Sequence, residues 1–479
     1  MDLKRKVMGA LGWSVSARLV GQLVSWAVTI IVVRLLAPES YGLMAMAMMF
    51  VALSDMFSDL GMGSVLVQLR EAPPRVLRQL FGLTLIVNTG IFGTLFAAAP
   101  VIATFFAEPE LVPLVRVLAI RFLLLSFEVM PRSLLERDLD FKRQSMVMLA
   151  GQMIGAGTTL TGALYGMGVW ALVAGYLATA TTRVVGVHVV NPLWILPSFR
   201  FRGASGLIRF GGLISIERAL AVVHGQLDQF IIGKLLGKQV LGFYSVAMHL
   251  AELPMARVMG TVNPIAFSAF ARLRDEPDAA AYYTRKIARI SSLVAFPAFF
   301  GISAVADPFV EVFLGHQWHA AAIPLQFLVL VFPLRLATGF MPSLLRGLGY
   351  PGESVINVAM AIAVLAVGFL VGTRWGLYGV SMTWVVVYPL IFCAQVLRVQ
   401  RITGVGLGDY VSAMAIPALN SSIMYAAVTG VGHLLGPVAP ALRLGAMIAT
   451  GAAVVIPLTL WLQRGVIDEI RGLIRPSSA

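Results

Sequence analysis

Residues 29–63 read TIIVVRLLAPESYGLMAMAMMFVALSDMFSDLGMG: the end of one apolar helix, a tight polar corner at Leu36-Ala37-Pro38-Glu39-Ser40-Tyr41-Gly42, and a second apolar helix. Pro38 cannot continue the first helix, so the chain turns there. The pattern returns about 200 residues later, as internal repeats do, with Lys234-Leu235-Leu236 answering Arg34-Leu35-Leu36, Gly242 answering Gly42, Ala247 answering Ala47 and Leu253 answering Leu53. Downstream the register drifts by a few residues. Pro100 and Phe105 align with Pro308 and Phe313, Met130-Pro131 with Met341-Pro342, and Gly168-Val169-Trp170 with Gly376-Leu377-Tyr378. Repeats that keep the same order and the same inner and outer ends predict two bundles of even helix number, related by an axis along the membrane normal.

With 58% hydrophobic and 12% charged residues, the chain has too little polar surface for a soluble globule. A membrane span needs about 20 predominantly apolar residues. Such stretches begin near 11, 41, 78, 110, 144 and 168, again near 206, 240, 285, 319, 350 and 376, and then near 410 and 440. The expected fold is therefore an all-α integral membrane protein of about fourteen transmembrane helices: a six-helix lobe over 1–196, a second over 197–401, and two further helices with a cytoplasmic tail over 402–479. Pro192, Pro197, Arg200 and Arg202 mark the linker between the lobes, and beyond residue 401 the repeat is exhausted. Gly151-Gln152-Met153-Ile154-Gly155 has the small-residue spacing of a close helix contact. Met130 to Lys142, where apolar and charged residues alternate in pairs, reads as a helix lying on the cytoplasmic surface.

The formal net charge of +13 raises the question of nucleic acid, and the layout of the charge argues against it. Most of the 36 Lys and Arg fall in the termini and even-numbered loops, among them Lys4, Arg5, Lys6, Arg75, Arg78, Lys142, Arg143, Arg200, Arg202, Arg285 and Lys286. The odd-numbered loops hold Lys234, Lys238 and Arg374. This is the positive-inside asymmetry, which puts both termini in the cytoplasm. The first apolar stretch follows Lys4-Arg5-Lys6 as a signal peptide would, but it is too long and lacks a small-residue cleavage site, so it reads as a membrane helix. The single cysteine, Cys393, sits inside the twelfth segment and rules out internal disulfides and thiolate metal clusters.

Arg34-Leu35-Leu36-x-Pro38 followed by Tyr41-Gly42 and Asp59-Leu60-Gly61 resembles the bacterial polysaccharide transporters of the multidrug/oligosaccharidyl-lipid/polysaccharide exporter superfamily. So do Leu135-Glu136-Arg137-Asp138-Leu139-Asp140-Phe141 and the run from Asp228 to Gly237. Within that superfamily the chain is similar to Wzx-type flippases of the colanic-acid exporter group over roughly residues 5 to 400. The resemblance implies two six-helix lobes around a central cavity in the bacterial inner membrane. It implies as substrate a polyprenyl-pyrophosphate-linked oligosaccharide, moved to the outer leaflet by rocking of the lobes. Membrane lipids and proteins of a polysaccharide synthesis complex are the expected partners.

Charge inside a membrane needs a partner or a water-filled cavity, so the polar residues within the spans are the candidates for function. Arg18, Gln22, Ser25 and Thr29 make one stripe on the first segment. Glu217, His224 and Asp228 make another on the seventh, with Arg218 beside it. The repeat offset places Arg18 on Arg218, a pair of permanently charged forks suited to the two phosphates of the expected substrate. Each could instead snorkel to an interface or pair with a nearby acid, Arg218 with Glu217 or Glu252 for example. Asp55 and Asp59 on segment two, and His249, Glu252 and Asn263 on segment eight, could bind sugar hydroxyls or a coupling proton or sodium ion. Arg121, Glu128 and Arg335 could form an inter-helix pair or gate, with a structural salt bridge as the plainer alternative.

No cofactor is expected beyond a coupling ion. His316-Gln317-Trp318-His319 lacks the further ligands a metal site needs, and Gly233-Lys234-Leu235-Leu236-Gly237-Lys238 has the wrong spacing for a phosphate loop. A cation-coupled multidrug exporter of the same superfamily is the rival within transport, and a paired-arginine site favours the bulkier anionic cargo. A membrane glycan polymerase or ligase would need a sizeable outer loop, whereas the odd loops here are within the ordinary short range of about a dozen residues. The chain is accordingly read as a transporter and not an enzyme.

Overall fold

The computed structural model describes residues 21, 26–58, 73–193, 195–199, 205–436 and 438–465, and for 205–219, 257, 261 and 264 the backbone alone. Among the described residues there is no strand. The helices that build the chain are α1 (Trp26–Leu35), α2 (Pro38–Ser58), α3 (Pro74–Phe106), α4 (Leu111–Arg137), α5 (Phe141–Leu164), α6 (Val169–Val190) and α7 (Ser205–Arg272). They continue with α8 (Pro277–Ala304), α9 (Ala322–Thr338), α10 (Met341–Gly347), α11 (Pro351–Gly372), α12 (Gly376–Thr403), α13 (Leu407–Leu434) and α14 (Pro440–Leu462). Among the described residues ten helical runs are long and apolar enough to cross a membrane, and two of these, Leu220–Ala256 and Pro351–Thr403, each take in two of the expected segments. Outward-facing Val101, Leu164, Val367 and Leu390 are each more than 60% exposed, as lipid-facing side chains are.

Proline and left-handed residues punctuate the chain. Pro38 opens α2, and proline also stands in the first turn of α3, α8, α10, α11 and α14, where its missing N–H is no loss. Ala107 and Gly404 end α3 and α12 in the left-handed conformation. Gly237, at φ 82°, breaks α7 into two helices and so makes the corner of the second repeat. The α5–α6 contact expected from Gly151 and Gly155 is present: a Cβ on Gly155 would fall 2.9 Å from the Gly175 carbonyl oxygen, and one on Gly175 2.8 Å from that of Gly155.

One expected element differs. The stretch from Met130 does not start a separate surface helix, because α4 runs on through Pro131 to Arg137. Val129, Met130 and Leu134 pack with Leu80 of α3 in a buried cluster, and that burial holds the turn in line despite the proline. In the second repeat the matching residues do form a separate short helix, α10, with Pro342 in its first turn.

By packing, the chain divides into two compact units, Met1–Gly242 and Phe243–Ala479. Within the first unit the two repeat corners meet backbone to backbone. A Cβ on Gly42 would fall 1.8 Å from the Lys238 carbonyl oxygen, and one on Gly242 would fall 1.9 Å from that of Pro38. The contacts are reciprocal under the sequence repeat, since Lys238 stands to Gly242 as Pro38 does to Gly42. Neither position has room for a side chain. Gly42→Ala and Gly242→Ala are each expected to lower the thermal unfolding midpoint of the purified protein, through overpacking worth about 1–3 kcal/mol. Gly93→Ala on α3, where an added Cβ meets nothing within 4 Å, should leave the midpoint unchanged or raise it slightly. A Gly42→Ala protein that melts with wild type would contradict the contact.

Candidate substrate-binding site

Among the described residues two arginines of the apolar helices pair with an acid and face aromatic rings, one in each unit. In the first, Arg121 of α4 donates from Nη1 to Asp55 Oδ1 of α2 in an ion pair. Its guanidinium carbon lies 5.6 Å from the ring centre of Tyr176 on α6 and 5.7 Å from that of its neighbour Phe122. In the second, Arg335 of α9 lies with Nη2 3.6 Å from Glu252 Oε1 of α7. It sits over Phe332 at 4.5 Å and over Trp384 of α12 at 4.7 Å. Both arginines thus have a carboxylate on one side and aromatic faces on the other, a combination that stabilises a desolvated guanidinium. The order also repeats: acid, arginine and aromatic come from the second, fourth and sixth apolar segments in one unit, and from the eighth, tenth and twelfth in the other.

The clusters differ in how completely the guanidinium is satisfied. Arg121, 21% exposed, is bonded directly to Asp55, itself 34% exposed. Arg335 is only 14% exposed, its carboxylate partner is 49% exposed, and its Nη1 is buried without a hydrogen-bond acceptor among the described residues. An unmet buried donor costs about 1–3 kcal/mol, so this group is poised for an anionic oxygen. The aromatic wall behind it is fixed. Trp384 Nε1 donates to Tyr244 Oη at 2.7 Å, and Tyr388 Oη shares a 3.0 Å hydrogen bond with Thr338 Oγ1.

Of the expected site residues, Arg18, Gln22 and Asp59 lie outside the described residues, and Glu217 and Arg218 lie on α7 where the backbone alone is described. His224 is half-buried, and Asp228 is 3% exposed with Oδ1 accepting the Gln229 backbone N–H at 2.8 Å. Asn263 Oδ1 accepts from the Ser343 hydroxyl at 3.3 Å, joining α7 to α10. The suggested trio of Arg121, Glu128 and Arg335 resolves differently. Arg121 takes Asp55, Arg335 takes Glu252, and Glu128, 8% exposed on α4, makes no ion pair among the described residues. Sequence reasoning missed the aromatic members Tyr176 and Trp384. The signal was the repeat itself, since the offset that sets Gly168-Val169-Trp170 against Gly376-Leu377-Tyr378 also sets Tyr176 against Trp384.

Also missed was a further polar cluster, at the repeat corners. Lys238 Nζ bonds Glu108 Oε2 at 2.8 Å and Glu110 Oε1 at 3.1 Å. Lys234 Nζ donates to the Phe105 carbonyl and lies 4.6 Å from that ring, which stacks on Phe230 at 5.0 Å. These two lysines are among the few cations of the odd-numbered loops, and Glu108 and Glu110 are the acids of the facing corner. His316 and His319 lie with ring centres 6.2 Å apart. Among the described residues no three His, Cys, Asp or Glu come together as a metal site would require.

Comparison with known proteins agrees with this architecture. The chain is 22% identical to the lipopolysaccharide biosynthesis protein WzxC of Escherichia coli (strain K12), over 87% of this chain and 86% of that one. It is 27% identical to the teichuronic acid biosynthesis protein TuaB of Bacillus subtilis (strain 168), over 58% of each. Among solved structures, lipid II flippase MurJ in an inward closed conformation superposes with a TM-score of 0.77, covering 96% of this chain and 99% of that one at 12% identity, a likeness of fold. The family model described as polysaccharide biosynthesis protein matches residues 31–323, more than half of the 479 residues, and the chain belongs to that family.

Proposed function

We propose that the chain is a flippase carrying a polyprenyl-diphosphate-linked oligosaccharide across the bacterial inner membrane by alternating access, without covalent chemistry, its basic loops and termini on the cytoplasmic side. The names of the relatives support polysaccharide precursors as cargo. The observation that carries the reading is Arg335: a buried guanidinium with one donor unmet, beside a carboxylate exposed enough to give way. A diphosphate oxygen supplies the missing acceptor and displaces Glu252, while the fixed wall of Trp384 and Phe332 keeps the guanidinium oriented. Asp55 serves as the coupling carboxylate in this reading, since a proton or sodium ion taken up there competes with Arg121 for the same oxygen. The lysine contacts at the repeat corners then have to break when the outer side opens.

Expressed in a strain lacking its own exopolysaccharide flippase and supplied with the matching glycan, wild type should restore surface polymer. Arg335→Ala at matched membrane expression should lower it at least tenfold, on the order expected for a charge-assisted anion contact. Arg335→Lys should retain part of the activity, because the charge stays and the fork is lost. Full polymer from Arg335→Ala would remove the residue from the site, and export of cationic dyes in place of glycan would favour a drug exporter. For the other cluster, Arg121→Ala should destabilise the purified protein by about 1–3 kcal/mol by stranding a partly buried carboxylate. Arg121→Met combined with Asp55→Leu should recover most of that loss while abolishing transport. Additive losses in that double-mutant cycle would mean that the two residues are not coupled.

A further inference from the structure

A cavity of about 400 Å³ opens at the charged end of the second unit, between the start of α8, the start of α13 and the end of α14. Its walls are two helix faces in register. Tyr282, Arg285, Lys286 and Arg289 follow the i, i+3, i+4, i+7 spacing on α8, and Asp409, Ser412, Ala413 and Ile416 follow it on α13. Among the described lining residues there are three cations and one carboxylate, and that carboxylate is already engaged, Asp409 Oδ2 accepting the Gly406 backbone N–H at 2.8 Å to cap α13. Arg285 and Arg289 make no ion pair among the described residues, while Lys286 Nζ lies 5.7 Å from the Tyr282 ring centre. Ile416, Pro417 and Leu462 supply an apolar wall. An independent feature marks the same place: Gln463, only 6% exposed, lines the cavity with its Oε1 buried and without a hydrogen-bond donor among the described residues. A buried acceptor in a cationic pocket calls for a ligand that brings a donor as well as negative charge.

We propose that this cavity binds the headgroup of an anionic phospholipid of the surrounding bilayer, phosphatidylglycerol in kind. The phosphate lies among Arg285, Lys286 and Arg289, a glycerol hydroxyl donates to Gln463 Oε1, and the first carbons of the acyl chains lie along Ile416 and Leu462. The basic loop from Arg272 to Arg289 belongs to the end of the lobe that the positive-inside rule assigns to the cytoplasm, where basic pockets between membrane helices hold anionic lipid headgroups. Phosphatidylethanolamine fits less well, because its ammonium would be brought against three cations. The site stands apart from Arg335 and its aromatic wall and does not rest on the choice of transported glycan.

The test is native mass spectrometry of the full-length purified protein in detergent, titrated in turn with phosphatidylglycerol, phosphatidic acid, phosphatidylethanolamine and farnesyl diphosphate. Phosphatidylglycerol should bind at least tenfold more tightly than phosphatidylethanolamine. The combined variant Arg285→Gln, Lys286→Gln, Arg289→Gln should lose that preference, each cation contributing a factor of about five. The pair Arg285→Lys, Arg289→Lys should keep it, which separates loss of charge from loss of fold. Gln463→Leu should weaken phosphatidylglycerol several-fold and leave phosphatidic acid, which has no headgroup hydroxyl, unchanged. Equal binding of phosphatidylglycerol by wild type and the triple glutamine variant would overturn the proposal. So would tighter binding of farnesyl diphosphate than of phosphatidylglycerol at this cavity, which would make it a stop for the transported substrate.

Discussion

A guanidinium held between apolar helices has to find its counter-charge and its π faces inside the protein, because the bilayer offers neither. That requirement organises both units. Arg121 gathers Asp55 from α2 and Tyr176 from α6 around α4, and Arg335 gathers Glu252 from α7 and Trp384 from α12 around α9. Each cluster ties three otherwise featureless helices to a common depth and rotation. In the proposed function an anionic cargo borrows the charges that fix the packing, so that stability and transport draw on one set of contacts.

The difference between the clusters matters as much as their likeness. A salt bridge whose members are both well held is a strut, and replacing it with apolar residues of similar size can leave a fold intact. A guanidinium whose partner is half in solvent and whose second arm has no acceptor among the described residues is the receptor that the proposed function requires. On the proposed function one repeat supplies the first kind and the other the second, a division of labour between the halves of an internally duplicated chain.

Much of this was legible in the sequence. Pro38 and Gly42 announced the corner, the return of Arg34-Leu35-Leu36 and Gly42 as Lys234-Leu235-Leu236 and Gly242 announced the repeat, and Gly151 and Gly155 announced the close approach of α5 to α6. The candidate site was only half legible. Asp55, Arg121, Glu252 and Arg335 could be picked out as charges too deep to be idle, but which acid meets which arginine depends on helix rotation, which apolar periodicity with weak amphipathy leaves open. Tyr176 and Trp384 look like any other aromatic in a membrane helix until a guanidinium is found above them. The run past Pro131 was misread because its charges suggest a surface, whereas the decisive fact, a set of buried partners on α3, is tertiary.

The corner contact has a further meaning. A half-length chain pairing with its own copy would make both backbone crossings through a single glycine, so that any change there would be felt twice. Once two copies are joined in one polypeptide, the residues opposite the glycines can part company. Here Pro38 stands opposite Gly242 and Lys238 stands opposite Gly42, and the lysine of the second corner reaches Glu108 and Glu110 while the proline of the first reaches nothing comparable. Fusion frees one corner to become a charged latch while its twin remains a plain turn, an asymmetry that no symmetric dimer of identical chains could acquire.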